Sequence, residues 1–416
     1  MNRRNFLQLA GLASASFALP RAVRAATAAP RVVVVGGGFA GATVAKYLRL
    51  WGGNIDVTLI DRNAEHYACI LSNLVVTGQL AMSRIRLGYD SLRTGRGVKV
   101  VQAEVVEVNP AERCVVVQDA TGFRAYPYER LVLAPGIEFT PAAGSYSAEL
   151  TPHAWKAGPQ TLLLKQQLSA MTSRGTFVMT IPKSPYRCPP GPYERACVVA
   201  DYLKRKKPGA KVVVLDANTS IQAEPLTFDR AFKETYRGML TYVTGAEVTG
   251  VVSAERRVLT TQGSFTGTVL NYIPNQRAGD IVTQAGLVND PSGRWALVNP
   301  LTYASVVNPE IHILGDSQGT GQPKSGHMAN SQAKVCADAI IRAFNGEGPD
   351  PAPTTSSACF SPITSTKASW LSASFQYDPG TAAMKRVDLG EAHEPTSDGF
   401  QQMYQWADNI FADSFV

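Results

Sequence analysis

Arg31-Val32-Val33-Val34-Val35 runs directly into Gly36-Gly37-Gly38-Phe39-Ala40-Gly41, and this junction restricts the fold more than any other stretch of the chain. A short β-branched run without polar interruption reads as a strand buried on both faces. A helical pattern follows through Tyr47 to Trp51, then a second apolar run, Ile55 to Ile60, closed by Asp61, 25 positions after Gly36. Strand, glycine turn, helix, strand and acid in that order make a βαβ unit built for a dinucleotide. Gly36, Gly38 and Gly41 let the backbone approach a diphosphate and the helix N-terminus face it, while Asp61 can accept from ribose hydroxyls.

Two later segments return to the same sheet. Arg130 to Leu133 is a strand leading into Ala134-Pro135-Gly136, and Ile311 to Leu314 leads into Gly315-Asp316, with a helix expected from Lys324 to Phe344. Between them lies a second βαβ pattern: Gly175 to Ile181, Tyr193 to Lys206, then Lys211 to Leu215 closed by Asp216. The expected fold class is therefore α/β, with two Rossmann-like three-layer domains (a glutathione reductase-like flavoprotein fold) and a small α+β C-terminal domain. The expected divisions are 1–29 as a leader, 30–140 and 274–347 as the two parts of an FAD-binding domain, 141–273 as a second nucleotide-type domain, and 348–416 as the C-terminal domain. FAD is the expected cofactor because Ala134, Gly136, Gly315 and Asp316 stand where a flavoprotein places further contacts, Asp316 toward the ribityl chain.

The second unit lacks the glycine turn of the first. Its strand–helix joint reads Pro182-Lys183-Ser184-Pro185-Tyr186-Arg187-Cys188-Pro189-Pro190-Gly191-Pro192-Tyr193-Glu194. Prolines stiffen such a loop and remove the N–H donors that would cradle a pyrophosphate, so NAD(P)H is not expected there.

The N-terminus carries Asn2-Arg3-Arg4-Asn5-Phe6-Leu7-Gln8, a twin-arginine pattern, ahead of a modestly apolar run to Leu19 and alanine-rich cleavage sites near residues 25–29. That run is shorter than the ~18 apolar residues a membrane span requires. Export to the periplasm is the expectation, with no integral membrane segment in the mature chain. The formal charge of +7 owes much to Arg3, Arg4, Arg21 and Arg24 in this leader, so it makes no case for nucleic acid.

Six cysteines remain to be explained. Cys114 sits in a strand-like run, and Cys197 and Cys336 sit mid-helix among apolar neighbours, so buried structural roles suit them. Cys188 and Cys359 are expected in proline-flanked loops, at a candidate site between domains, and Cys69 follows the first βαβ unit; these three are the candidates for function. Spacing alone does not decide which of the six pair.

Tyr67-Ala68-Cys69-Ile70-Leu71-Ser72-Asn73, Pro152-His153-Ala154-Trp155-Lys156-Ala157-Gly158 and Arg187-Cys188-Pro189-Pro190-Gly191-Pro192-Tyr193-Glu194-Arg195 resemble the flavoprotein subunit of flavocytochrome c sulfide dehydrogenase. So do Pro323-Lys324-Ser325-Gly326, Ala329-Asn330-Ser331-Gln332 and the segment around Cys359, and the likeness runs from about residue 31 onward. This resemblance implies FAD attached to Cys69 through an 8α-thioether, and a redox-active Cys188–Cys359 disulfide on one face of the flavin. It implies hydrosulfide as substrate, attacking that disulfide, with sulfur or polysulfide as product. Glu194 would move protons near the pair, or cap its helix. Lys324 would place positive charge near the flavin, and Trp406 would line the path to a haem.

No C-x-x-C-H occurs, so the chain carries no c-type haem of its own, and a separate periplasmic cytochrome c subunit is the expected acceptor. Phe400, Met403, Tyr404, Ala407, Phe411 and Phe415 follow helical spacing, but Asp398, Asp408 and Asp413 disfavour an anionic lipid surface, so packing on the chain's own core is expected. Ser317 after Gly315-Asp316 departs from the Ala-Cys more usual in the family. The competing readings are a sulfide:quinone oxidoreductase and a non-catalytic flavin subunit that only relays electrons.

Overall fold

The computed structural model describes residues 29–416; the expected leader, all but its last residue, lies outside the described residues. The chain enters at β1 (Arg31–Val35), whose valines are all buried, and turns through the glycine loop into α1 (Phe39–Gly52). It continues through β2 (Asp56–Asp61), the short α2 (Ser72–Val76), β3 (Lys99–Gln102) and β4 (Arg130–Leu133). An antiparallel meander, Glu104–Asn109, Cys114–Asp119 and Gly122–Pro127, stands between β3 and β4.

A second parallel sheet then forms from β5 (Thr176–Ile181), β6 (Lys211–Asp216), β7 (Leu240–Val243) and β8 (Val269–Asn271), in the order β7-β6-β5-β8. Its strands fall within 141–273, and α3 (Gly191–Lys206) links β5 to β6. The chain returns at β9 (Ile311–Ile313), which completes a five-stranded parallel sheet in the order β9-β4-β1-β2-β3. Both sheets read as continuous apolar runs because crossover helices bury them.

After β9 a 3-10 turn covers Gly315–Ser317, and α4 (Gly326–Phe344) begins two residues later than Lys324. The physical reason is a cap: the Ser325 hydroxyl accepts the Met328 N–H at 3.1 Å. The C-terminal unit is an antiparallel meander of β10 (Thr354–Pro362), β11 (Ala368–Asp378) and β12 (Ala383–Glu391), followed by α5 (Ser397–Phe415).

α5 packs on the core, as its periodicity predicts. Phe400, Met403, Ala407, Ile410, Phe411 and Phe415 are buried along one face. Its last turn lies across α1: the Thr43 and Ser414 hydroxyls are 3.0 Å apart, Tyr47 donates to Asp413 at 2.6 Å, and Lys46 donates to the Asp413 carbonyl at 2.9 Å. Asn330 and Lys334 of α4 hold the same Asp413 carboxylate at 2.7 and 2.8 Å. Among the described residues no helix is long and apolar enough to cross a membrane.

Candidate active site

A cavity of about 640 Å³ runs from the glycine loop and Asp61 past Cys69 to Cys188, Cys359 and Trp406. Gly36 has φ of +97°, and a Cβ there would lie 2.4 Å from the Ala134 carbonyl oxygen. A Cβ on Gly38 would meet only the His66 ring, at 3.5 Å, so this residue opens onto the cavity. Gly41 does not line it; its Cα lies against the Gly36 carbonyl, where a Cβ would sit 1.8 Å from the oxygen. Its contribution is to bring α1 close under the loop. Asp61 braces that loop by accepting the Gly37 N–H at 2.6 Å and also lines the cavity.

Ala134, Gly136, Gly315 and Asp316 line the middle of the cavity. Asp316 is held above the ordinary carboxylate range by burial, opposed by Arg187 and Lys324, and its Oδ1 is buried without a hydrogen-bond partner. A buried oxygen lacking a donor is costly unless a ligand supplies one. With the cradle at Gly36 and Gly38, the fully apolar β1 floor and this waiting acceptor, the residues present fit FAD, the ribityl hydroxyls meeting Asp316.

Beyond Asp316 the cysteine segments converge. Cys69 donates its thiol to the Trp155 carbonyl at 3.4 Å, and the Trp155 indole N–H donates to the Arg187 carbonyl at 3.2 Å. Arg187 returns a short hydrogen bond to that same Trp155 carbonyl. One tryptophan thus ties the Cys69 segment to the Cys188 loop. Cys188 sits in the left-handed region (φ 59°), strained for a residue with a Cβ, and its N–H is anchored on the Lys324 carbonyl at 2.6 Å.

All six cysteines are free thiols in this structure, Cys188 and Cys359 among them. The two thiols line the same cavity, close enough that the Cys359 charge bears on Cys188. Burial pushes Cys188 well above the usual thiol value, aided by Cys359 and Glu194 and opposed by Arg187. Burial and the charges of Glu224 and Glu194 push Cys359 up to about 12. Cys114, Cys197 and Cys336 are buried, as expected of packed cysteines.

Glu194 lies in the first turn of α3, yet it does not cap; its carboxylate points inward and accepts from Asn73 at 2.9 Å. Burial raises it to about 8 against a usual 4.5. Arg195, almost wholly buried, donates to Asn73 at 2.8 Å, the Ala154 carbonyl at 2.6 Å and the Asn271 side chain at 3.1 Å, and lies 4.8 Å over the Trp155 ring. Burial lowers it to about 10, with Glu194 and the thiols of Cys69 and Cys188 pulling the other way.

Lys324 is the predicted site residue whose side chain stays outside the cavity lining. Its ammonium donates to the carbonyls of Asp316 at 2.9 Å and Gln318 at 2.5 Å and lies 3.7 Å over Trp295. Burial lowers it to about 7. It braces the Asp316 turn from behind while its carbonyl holds Cys188. Trp406 does line the cavity, its ring tilted against Phe360, and donates its indole N–H to His327 Nδ1 at 3.2 Å. That nitrogen also accepts the Ala358 N–H at 3.0 Å, which leaves the His327 proton on Nε2. Sequence reasoning singled out neither His327, Asn73 nor Arg195; the quoted motifs contain Asn73 and Arg195, but nothing in their spacing tells that they meet.

Residues 161–274 match the profile described as sulfide dehydrogenase [flavocytochrome c] flavoprotein chain, central. Residues 30–158 match that of pyridine nucleotide-disulphide oxidoreductases. A sulfide dehydrogenase [flavocytochrome c] flavoprotein chain of Chlorobaculum thiosulfatiphilum is 53% identical over 45 residues, 11% of this chain and 94% of that one. The chain belongs to the flavoprotein family of flavocytochrome c sulfide dehydrogenase.

The chain shares its fold with the sulfide:quinone oxidoreductase of Aquifex aeolicus, the two matching over 92% of each chain with a TM-score of 0.75 at 17% identity. The mitochondrial sulfide:quinone oxidoreductase of Mus musculus is 25% identical over 199 residues, 44% of this chain and 41% of that protein. The chain therefore spans about two fifths of that curated relative.

Proposed function

We propose that this flavoprotein oxidises hydrosulfide through a Cys188–Cys359 disulfide and FAD, in the periplasm, and passes electrons to a cytochrome c subunit. The observation that carries the reading is the convergence of Cys69, Cys188, Cys359 and Glu194 on one cavity that also contains the glycine loop. Cys69 would hold FAD by a thioether, and the bound flavin would supply the two-electron acceptor for the reduced cysteine pair.

Hydrosulfide attacks one sulfur of the oxidised pair: the old S–S bond breaks, a new one forms to the incoming sulfur, and the other cysteine leaves as thiolate. A second hydrosulfide removes the outer sulfur as a hydrogen disulfide or longer polysulfide and leaves both cysteines reduced. Glu194, raised to about 8, is mostly protonated at neutral pH and becomes half-charged at about pH 8, so it is suited to exchange a proton with the sulfur chemistry beside it. Arg187, beside Cys188, favours negative charge on that sulfur and so offsets part of the burial penalty.

Entry of electrons from sulfur, not from NAD(P)H, is supported by Asp216. This acid ends the second βαβ unit, is fully buried, and accepts from the Tyr193 and Tyr242 hydroxyls, both at 2.7 Å. The test is anaerobic mixing of the holoprotein with sulfide. Wild type is expected to lose its oxidised-flavin absorbance, and Cys188→Ser to keep it; wild-type bleaching in the variant overturns the disulfide mechanism. In acid-denatured protein, yellow colour is expected to stay with the polypeptide and to be lost in Cys69→Ala. Free flavin from wild type removes the thioether assignment.

A further inference from the structure

The mechanism above leaves the buried acid Glu224 unused. Glu224 is 2% exposed, lies in the second domain, and adopts the left-handed backbone region (φ 48°), which a residue with a Cβ occupies only at a cost. Its Oε2 accepts from the Ser361 hydroxyl at 2.5 Å, and its Oε1 is buried without a hydrogen-bond partner. Ser361 stands two residues past Cys359 on β10, so both side chains share one strand face. Ser357, two residues before Cys359, joins the same row and lies 2.9 Å from the Ser325 hydroxyl at the cavity wall. One face of β10 therefore presents hydroxyl, thiol and hydroxyl in sequence, with the Glu224 carboxyl fixed at the far end.

We propose that Glu224 is a positioning residue for Cys359: its carboxylate, moored on Ser361, keeps the proton on the Cys359 sulfur whenever the pair is reduced. The assignment rests on the reading of Cys188 and Cys359 as a working thiol pair. The titratable groups facing Glu224 are Glu194 and Cys197 from α3, Cys359 from β10 and Glu391 at the end of β12. All are acids, so no neighbouring cation offsets the Glu224 charge. Burial, opposed by the Ser361 hydrogen bond, raises Glu224 to about 7, so the charge appears across the neutral range. Cys188 differs in having Arg187 beside it. Burial raises both sulfurs of the pair; the Glu224 charge adds to the rise at Cys359, whereas Arg187 offsets part of the rise at Cys188.

The test is alkylation. The reduced holoprotein is treated anaerobically with iodoacetamide over a pH series, and modification at each cysteine is followed by peptide mass. Thiolate is the reactive form, so each rate profile reports one sulfur. Glu224→Gln preserves an oxygen for Ser361 but removes the charge. The expected result is a Cys359 profile displaced to lower pH, with a rate at pH 9 raised about threefold or more, and an unmoved Cys188 profile. Ser361→Ala, which frees the carboxylate from its mooring, is expected to move the Cys359 profile partway in the same direction. A role confined to packing would lower Tm and leave both profiles in place, and that outcome overturns the proposal. Failure of sulfide to bleach the flavin, with the Cys359 displacement present, defeats the proposed function and leaves Glu224 assigned. Normal sulfide turnover without the displacement defeats the Glu224 assignment alone.

Discussion

Glu194 makes a residue-scale prediction whose sign is fixed by its burial. In the unfolded chain it titrates near 4.5, and in the folded protein near 8. Between those values the native state binds a proton that the unfolded chain has released. The stabilisation is complete below 4.5 and is lost as pH rises through 8. His66 and His153, held by burial near 4 and 3 against a usual 6.5, act at lower pH and in the opposite sense. From pH 6.5 to 8, Tm is expected to fall more steeply in wild type than in Glu194→Gln; equal slopes in thermal melts would count against the buried acid. Gly41→Ala tests another single atom, because its Cβ would lie 1.8 Å from the Gly36 carbonyl. The loop must move, and the purified variant is expected to retain much less flavin, read from the ratio of visible to protein absorbance. Both residues were legible in the sequence, since a glycine turn and a proline-framed cysteine loop demand particular residue types locally. Asn73 and Arg195 were not, because their hydrogen bonds depend on segments that only the tertiary fold brings together.

At the scale of elements, α5 divides what periodicity reveals from what it conceals. The spacing of its apolar residues gave its helical form and its buried face, but not the surface it covers. Asp413 illustrates the difference. In the sequence it argued only against a lipid surface, whereas in the structure it receives Tyr47, Asn330 and Lys334 and so joins α5 to α1 and α4. Those partners, outweighing its burial, hold the Asp413 carboxyl below its usual value. Asp413→Ala is expected to cost about 1–3 kcal/mol, measured by denaturant unfolding, because it leaves several partly buried donors without an acceptor. A loss within error would mean that solvent replaces the carboxylate.

The whole molecule repeats one βαβ plan with two different loops. The first opens its backbone to a diphosphate, and the second closes around cysteine, proline and the Tyr193–Asp216–Tyr242 cluster. NADH is therefore expected to leave the flavin oxidised under conditions in which sulfide bleaches it, and stopped-flow absorbance distinguishes the two; rapid bleaching by NADH would contradict this account. The closure of the cavity by α5 also bears on biosynthesis. Thr43 touches Ser414 across 371 positions, and Phe39 packs on Phe411 and Phe415. Translation is vectorial, so α1 leaves the ribosome long before its covering helix exists. The cradle stays open on that side until residues 411–415 emerge, so its cover is among the last segments of the chain to be made.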